Sequence, residues 1–319
     1  MKIRVFSMLL LVLVLSLSAI SARADILGAA ASYAVIGGST VGVTNGATNT
    51  SDTVVIGDMA VSPGTSCSGF VAGTGCTLGF GTVSGATNLG NVAAAAAEAG
   101  VDTAELALAA SGPGTDWTAT PTLGSGGLHD NIAPGVYSFG PLVTALLNGT
   151  LTLAGGGDAA PVWIFLMGRD LTTASGSSVL VTGTGAASAG IYWVTGTQAT
   201  LGDSSTFQGN ILAGSAAVFD PGAQITCGRA FADTQVTFAG NNPGTPSGTP
   251  NVVNSGPCGA GTSGSSNGND NGVITPGGGV GPGPVVGAPE PGTLALLPFG
   301  LFGLAVLKFR KPRVTALGC

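Results

Sequence analysis

The chain has 319 residues, 56 of them glycine, and only 8% are Asp, Glu, Lys or Arg, where an average soluble domain is about a quarter charged. A formal charge of −6 excludes a nucleic-acid binder of the usual basic kind, and a single histidine argues against His-based acid–base or metal chemistry. The glycines follow no three-residue period, which excludes collagen and leaves a β-rich fold of tight turns, disorder, or one of each in series.

At the N-terminus, Lys2 and Arg4 precede an apolar run from Val5 to Ile20, and Ser21-Ala22-Arg23-Ala24 places small residues where a signal peptidase cuts. The run is shorter than the about 20 residues of a spanning helix, so residues 1–24 are expected to be a secretory signal peptide. The folded unit is then expected over 25–242. Its helix is placed at 87–110, where Ala93–Ala97, Ala99, Ala104, Ala107, Ala109 and Ala110 favour helix and Ser111-Gly112-Pro113-Gly114 stops it.

Short alternating strands broken by glycine make up the rest: Tyr33–Ile36, Thr150–Leu153, Val162–Met167, Ile191–Val194, Asn210–Ala213 and Gln235–Phe238. A unit recurs at Ile164–Gly168, Tyr192–Gly196 and Asn210–Gly214, with its glycines 28 and 18 residues apart. A loose repeat with inward apolar residues and glycine at corners predicts a mainly β, stacked β-solenoid. A β-sandwich is the alternative, but it needs regular hairpin turns, and Asn-Gly occurs only at 45–46 and 148–149.

Residues 243–288 are Gly, Pro, Ser, Asn and Thr with scattered Val and one charge, Asp270, which predicts a flexible spacer. Pro289-Glu290-Pro291 then leads into an apolar span at 293–307, followed by Lys308, Phe309, Arg310, Lys311, Pro312 and Arg313. The cations after the span place that end in the cytoplasm and everything before it outside. Of the nine cations only Arg169 and Arg229 lie between residues 25 and 290, together with all fifteen acids, so that segment carries −13. Its four cysteines, Cys67, Cys76, Cys227 and Cys258, are expected in disulfides outside the cell, while Cys319 lies beyond the basic cluster. Three pairings are open; proximity favours Cys67 with Cys76 and Cys227 with Cys258.

The sequence does not point to catalysis. The acids are spread singly, and Asp58, Asp130, Asp158, Asp170, Asp203, Asp220 and Asp233 mostly sit beside Gly, Pro or Asn, where Asp serves turns. There is no Gly-x-Ser-x-Gly elbow and no phosphate loop. His129 reads as an exposed turn histidine, and Trp163 and Trp193 as core, although they and Trp117 are the side chains able to stack a sugar. No cofactor, no metal and no nucleic-acid partner is expected. A surface of Thr, Ser, Ala and Gly is favoured instead, with stiff β-branched threonines in a flat ladder.

The tripartite tail resembles the PEP-CTERM sorting signal of Gram-negative bacteria. That resemblance implies recognition of Pro289, Glu290 and Pro291 by an exosortase-type enzyme, membrane attachment before processing, and release to the envelope or extracellular matrix. Leu27-Gly28 with Tyr33–Thr40, Ile56–Gly64, Ala133–Tyr137, Gly149–Leu153, Trp163–Phe165, Leu171–Gly176 and Gly228–Ala232 resemble the microbial ice-binding (antifreeze) protein family, in order over nearly all of 26–242. Gly127-Leu128-His129-Asp130-Asn131 departs from it. The resemblance implies a discontinuous right-handed β-solenoid of triangular section with the Ala-rich helix packed alongside. It also implies one flat face that adsorbs to the ice crystal surface and inhibits growth and recrystallisation. Alternation with Leu151, Leu153, Leu171, Leu201, Phe207, Ile225, Val236 and Phe238 inward turns Thr150, Thr152, Thr172, Thr200, Thr206, Thr226 and Thr237 outward. These are assigned to that face, the rival being that they divide between faces. A non-enzymatic matrix or adhesion protein on the same fold is the alternative function.

Overall fold

The computed structural model describes residues 26–44, 53–240, 249–256 and 258. The chain opens with β1 (Tyr33–Gly37), β2 (Thr40–Val43) and β3 (Thr53–Ile56), then β4 (Asp58–Val61), β5 (Ser66–Phe70), β6 (Thr77–Leu78), β7 (Thr82–Val83) and β8 (Thr87–Leu89). After helix α1 (Val92–Ala109) come β9 (Thr115–Asp116), β10 (Thr122–Leu123) and β11 (Asn131–Ile132), then β12 (Gly135–Phe139), β13 (Ala145–Leu147) and β14 (Thr150–Ala154). Four more coils follow: β15 (Val162–Met167), β16 (Leu171–Thr173) and β17 (Ser178–Thr182); β18 (Gly190–Thr195), β19 (Gln198–Leu201) and β20 (Thr206–Gln208); β21 (Asn210–Ala213), β22 (Ala216–Phe219) and β23 (Gln224–Cys227); β24 (Ala230–Ala232), β25 (Gln235–Phe238) and β26 (Asn251–Asn254).

Successive strands turn from sheet A to sheet B to sheet C and back, so a coil gives one strand to each side, except that β5 and β6 both join sheet B and β8 and β9, on either side of the helix, both join sheet A. Sheet A runs β8-β4-β1-β24-β21-β18-β15-β12-β9, sheet B β10-β13-β16-β19-β22-β25-β2-β5-β6, and sheet C β11-β14-β17-β20-β23-β26-β3-β7. Every strand pairing among the described residues is parallel, the pattern of a solenoid rather than a hairpin-built sandwich. The order is discontinuous. The first coil, β1 to β3, lies beside the last, β24 to β26, so the last coil sits between two others instead of ending the stack.

That arrangement gives α1 a topological task. The chain builds one end of the stack through β8 and must restart at the far end with β9. An 18-residue helix covers about 27 Å, most of the distance across the intervening strands at about 4.8 Å each. The Asn91 carboxamide caps it by accepting from the Ala94 N–H at 2.9 Å. The helix starts later than the expected residue 87, because Thr87, Asn88 and Leu89 pair in register with Met59, Ala60 and Val61. Ala94, Ala97, Val101, Ala104 and Leu108, spaced three and four apart, form its buried stripe over Ile36, Ala60, Leu212 and Phe231 of sheet A. Small side chains are required: a Cβ on Gly100 would meet the Ala30 amide nitrogen at 2.9 Å.

Inside the coils the alternation holds. Trp163, Phe165 and Met167 point in, as do Leu151, Leu153, Leu171, Leu201, Phe207, Ile225, Val236 and Phe238. An aromatic column runs through the stack, Tyr137 to Phe165 at 5.5 Å, Phe165 to Trp193 at 3.9 Å and Trp193 to Phe207 at 4.9 Å. His129 is not an exposed turn histidine: it closes one end of this column, stacked on Trp117 at 3.8 Å with its Nε2 2.9 Å from the Thr120 hydroxyl. Trp117 is covered by His129 and Tyr137, which leaves no ring face free for a sugar.

The loose repeat has a local cause at the corner between sheets C and A. Gly209 (φ +114°) turns that corner alone and Gly228 (φ +128°) turns it with Arg229, and a Cβ on Gly228 would meet the Gly209 carbonyl oxygen at 2.0 Å. Between β17 and β18 the same corner is a loop, 183–189, which holds a short 3-10 helix at Ala186–Ser188. The coil with the loop is the longer one.

Both favoured disulfides form, Cys67–Cys76 and Cys227–Cys258. Replacing Cys67 and Cys76 together by serine removes a loop constraint worth about 2–3 kcal/mol on the chain-entropy model, and the midpoint of urea unfolding measures the loss. One expected boundary is corrected. Asn251–Asn254 falls inside the segment 243–288 read as a spacer, yet it forms β26, in register with β23 and β3. Val253 and Asn251 are fully buried, and the Asn251 amide donates to the carbonyls of Asp220 at 2.7 Å and Ala223 at 3.1 Å. Residues 1–24, read as a signal peptide, residues 243–248, 257 and 259–288 of the segment read as spacer, the Pro-Glu-Pro element and the apolar span lie outside the described residues.

Candidate functional site

Three outer faces are available, and α1 takes one. Ile36, Ala60, Leu212 and Phe231 point out of sheet A and are buried under the helix, which leaves sheets B and C open. The seven threonines divide between these two. Thr172, Thr200 and Thr237 are on β16, β19 and β25 of sheet B, whereas Thr150, Thr152, Thr206 and Thr226 are on β14, β20 and β23 of sheet C. They do not form one surface: alternation along a strand fixes inward against outward but carries no information about which side of the stack the strand joins.

On sheet B the register assembles a single outward row, Thr122, Leu146, Thr172, Thr200, Val218, Thr237, Gly42, Ser68 and Thr77. Neighbours in the row are about 4.8 Å apart, and no bulge interrupts it from Thr122 to Ser68. The row contains no ion, and most of its side chains are no longer than threonine. The hydroxyls of Thr172 and Thr237 make no hydrogen bond to another described residue, while the Thr200 hydroxyl accepts from the Gln198 amide at 2.7 Å. Sequence reasoning missed Thr122, Ser68 and Thr77. These come from coils far apart in sequence, and only the interleaving of the first and last coils brings Ser68 into line with Thr237.

Sheet C is less regular. Its outward row Thr150, Ser178, Thr206, Gln224, Val252, Val54 and Thr82 mixes longer side chains, and the register between β20 and β23 slips between Phe207 and Gln208. Two of its hydroxyls are engaged within the protein, Thr150 accepting from Ser178 at 2.9 Å and Thr226 donating to the Phe207 carbonyl at 3.3 Å.

The ions stand away from the sheet B row. The Asp158 carboxylate accepts from the Ala160 N–H two residues on, the turn duty expected of it, and Asp116 does the same for Thr118, whereas Asp58 accepts from the Ala86 N–H of the neighbouring coil. Asp170, at the edge of sheet B, accepts from the Thr197 hydroxyl and the Gln198 N–H and lies 3.1 Å from Arg169. Partial burial opposes its ionisation, but these donors and the guanidinium hold its carboxyl below the usual range.

Not all acids are scattered. Glu98, Asp102 and Glu105, spaced four and three along α1, converge with Asp233 at the corner between β24 and β25. Burial first, then the negative charge of Asp233, raises the carboxyls of Glu98 and Glu105 to about 7. Because these folded values exceed those of the unfolded chain, the stability they give is complete below about pH 4.5 and lost as pH rises through about 7. Both keep contact with solvent, so the discounted effect is about 1 kcal/mol, a Tm about 2–4 °C higher at pH 5 than at pH 8. Thermal melts of the protein and of the variant Glu98→Gln/Glu105→Gln check this; the variant is expected to lose most of the difference.

A model of the family described as Ice-binding-like matches residues 41–242. An ice-binding protein of Nostoc sp. (strain HG1) is 37% identical over 212 residues, 66% of this chain and 70% of that protein. Among solved structures, an ice-binding protein from the Antarctic ascomycete Antarctomyces psychrotrophicus is similar with a TM-score of 0.58 and 31% identity, over 71% of this chain and 96% of that one. Another from an Antarctic biological consortium has a TM-score of 0.54 and 28% identity, over 66% and 86%. The fold, the ordered motifs and these likenesses place the chain in the ice-binding-like family.

Proposed function

We propose that this protein binds ice through the outer face of sheet B and inhibits ice growth and recrystallisation. The observation that carries the reading is the row from Thr122 to Ser68: bulge-free, ion-free, uncovered by α1 and stepped at the strand spacing. Thr172, Thr200 and Thr237 belong to this face, and Thr150, Thr152, Thr206 and Thr226 to a second face with no part in adsorption. Threonine suits the task because its hydroxyl and methyl sit on a stiff side chain, so ordering water against it costs little rotamer entropy. No catalytic step is assigned to the chain, since the carboxylate cluster beside α1 faces away from sheet B.

Export fits the same reading. Two disulfides need an oxidising compartment, and residues 1–24 have the form of a cleaved signal peptide. Pro289, Glu290 and Pro291 with the span 293–307 would be read by an exosortase-type enzyme, after a membrane-attached stage, for release to the envelope or matrix. Among the described residues no helix is long and apolar enough to cross a membrane; the span lies outside them. Recrystallisation inhibition and crystal shaping by the chain without residues 1–24 and 289–319 test the function. Unchanged ice growth at micromolar protein rejects it, and capture of extracellular polysaccharide without any effect on ice would support the adhesion alternative.

A further inference from the structure

The hydroxyls along the sheet B row are not all held alike. Among the described residues, Thr200 is the only row member whose hydroxyl hydrogen-bonds within the protein, accepting from Gln198 Nε2 at 2.7 Å. Gln198 and Thr200 are two residues apart on β19, so both point outward, about 6.6 Å apart along the strand. A glutamine is long enough to reach along that distance, and a serine is not. Gln198 is itself anchored. Its backbone N–H donates to Asp170 Oδ1 at 3.2 Å. The same carboxylate accepts from the hydroxyls of Thr197 and Thr144 and lies 3.1 Å from Arg169. On the other flank the register sets Gln198 beside Ala216, whose methyl offers the amide no competing partner.

We propose that Gln198 is a positioning residue of the ice-binding face, holding Thr200 in one rotamer with its hydroxyl hydrogen directed off the sheet. The inference rests on the ice reading of sheet B and adds a residue to it. A threonine hydroxyl has one hydrogen to donate and two lone pairs. The Gln198 amide occupies one lone pair, and no described residue accepts the hydrogen, which is left for whatever adsorbs. Thr172 and Thr237 have no such partner, so their side chains are ordered only when ice binds. Fixing one of three staggered wells in advance spares Thr200 a factor of up to about three in that ordering.

Recrystallisation inhibition by the parent protein, Gln198→Ala, Thr200→Val and the double variant tests this, together with three-bond couplings that report Thr200 χ1 without ice. The parent is expected to show a single χ1 rotamer at Thr200. Gln198→Ala should show rotamer averaging there and need about two- to threefold more protein for the same inhibition. Thr200→Val should need at least as much. Adding Gln198→Ala to it should cost nothing more, because a residue that acts through the hydroxyl has no effect once the hydroxyl is gone. Both positions face outward, so unfolding midpoints should match the parent. Averaged χ1 in the parent, full inhibition by Gln198→Ala or by Thr200→Val, or the same further loss from Gln198→Ala in both backgrounds overturns the proposal. A parent with no effect on ice rejects the ice reading itself and this inference with it, whereas an active parent with any of those results rejects the positioning role alone.

Discussion

Replacing Thr200 with tyrosine is expected to raise the protein concentration needed to stop ice recrystallisation at least about tenfold, a loss of about 1.4 kcal/mol or more at the crystal surface. Thr200 stands mid-row on sheet B, in register with Thr172 on one side and Val218 on the other. A phenol ring there would stand above a row of threonine-height side chains and hold the flanking residues off a flat lattice. Thr172→Tyr should act alike, because the two positions are adjacent strands about 4.8 Å apart. Tyrosine favours exposed strand positions, so unfolding midpoints should stay within about 0.5 kcal/mol of the parent. Thr206→Tyr on sheet C is the control and is expected to leave inhibition intact. Loss of activity in Thr206→Tyr with normal activity in Thr200→Tyr would move the binding face to sheet C.

The largest stability effect is expected from Trp193→Ala. Trp193 is fully buried, stacked on Phe165 at 3.9 Å and tilted against Phe207 at 4.9 Å, and its indole N–H donates to the Gln208 carbonyl at 3.0 Å. Truncation leaves a cavity in the centre of the aromatic column and should cost about 3–5 kcal/mol, read from urea denaturation. Trp193→Phe separates packing from the hydrogen bond. The ring stack survives, but the carbonyl of Gln208 loses its donor, so about 1–3 kcal/mol is expected. A cost for Trp193→Phe equal to that for Trp193→Ala would mean that the hydrogen bond, not the column, holds this layer.

The coils were readable because each strand states its own inside and outside. Leu151 and Leu153, or Trp163, Phe165 and Met167, announce the core by alternation alone, and the buried tryptophans need no partner to be recognised. The stop of α1 was equally local, written in Ser111-Gly112-Pro113-Gly114. Where the sequence misled, the deciding contact was distant. Thr87–Leu89 has helical neighbours but is claimed by β4, and Asn251–Asn254 looks like spacer until its asparagine finds two carbonyls inside the stack. The threonines split between two faces because face membership follows from coil phase, which the variable corner at 183–189 shifts without trace in the alternation. Glu98, Asp102 and Glu105 carried a signal that was available, a common helix face, but counting acids one by one hides it.

The interleaved last coil also decides how the protein would respond to being pulled. An ordinary stack ends in a terminal coil that a tether could peel away one strand at a time. Here the described chain finishes at Cys258, after a strand hydrogen-bonded along both edges, to β23 and to β3, and fastened by Cys227. Tension applied beyond Cys258 would load two ladders together with a covalent bond, in the middle of the stack. It would enter at the corner between sheets C and A, the one corner that sheet B does not touch. A domain pulled from that point would keep its sheet B face turned away from the line of pull.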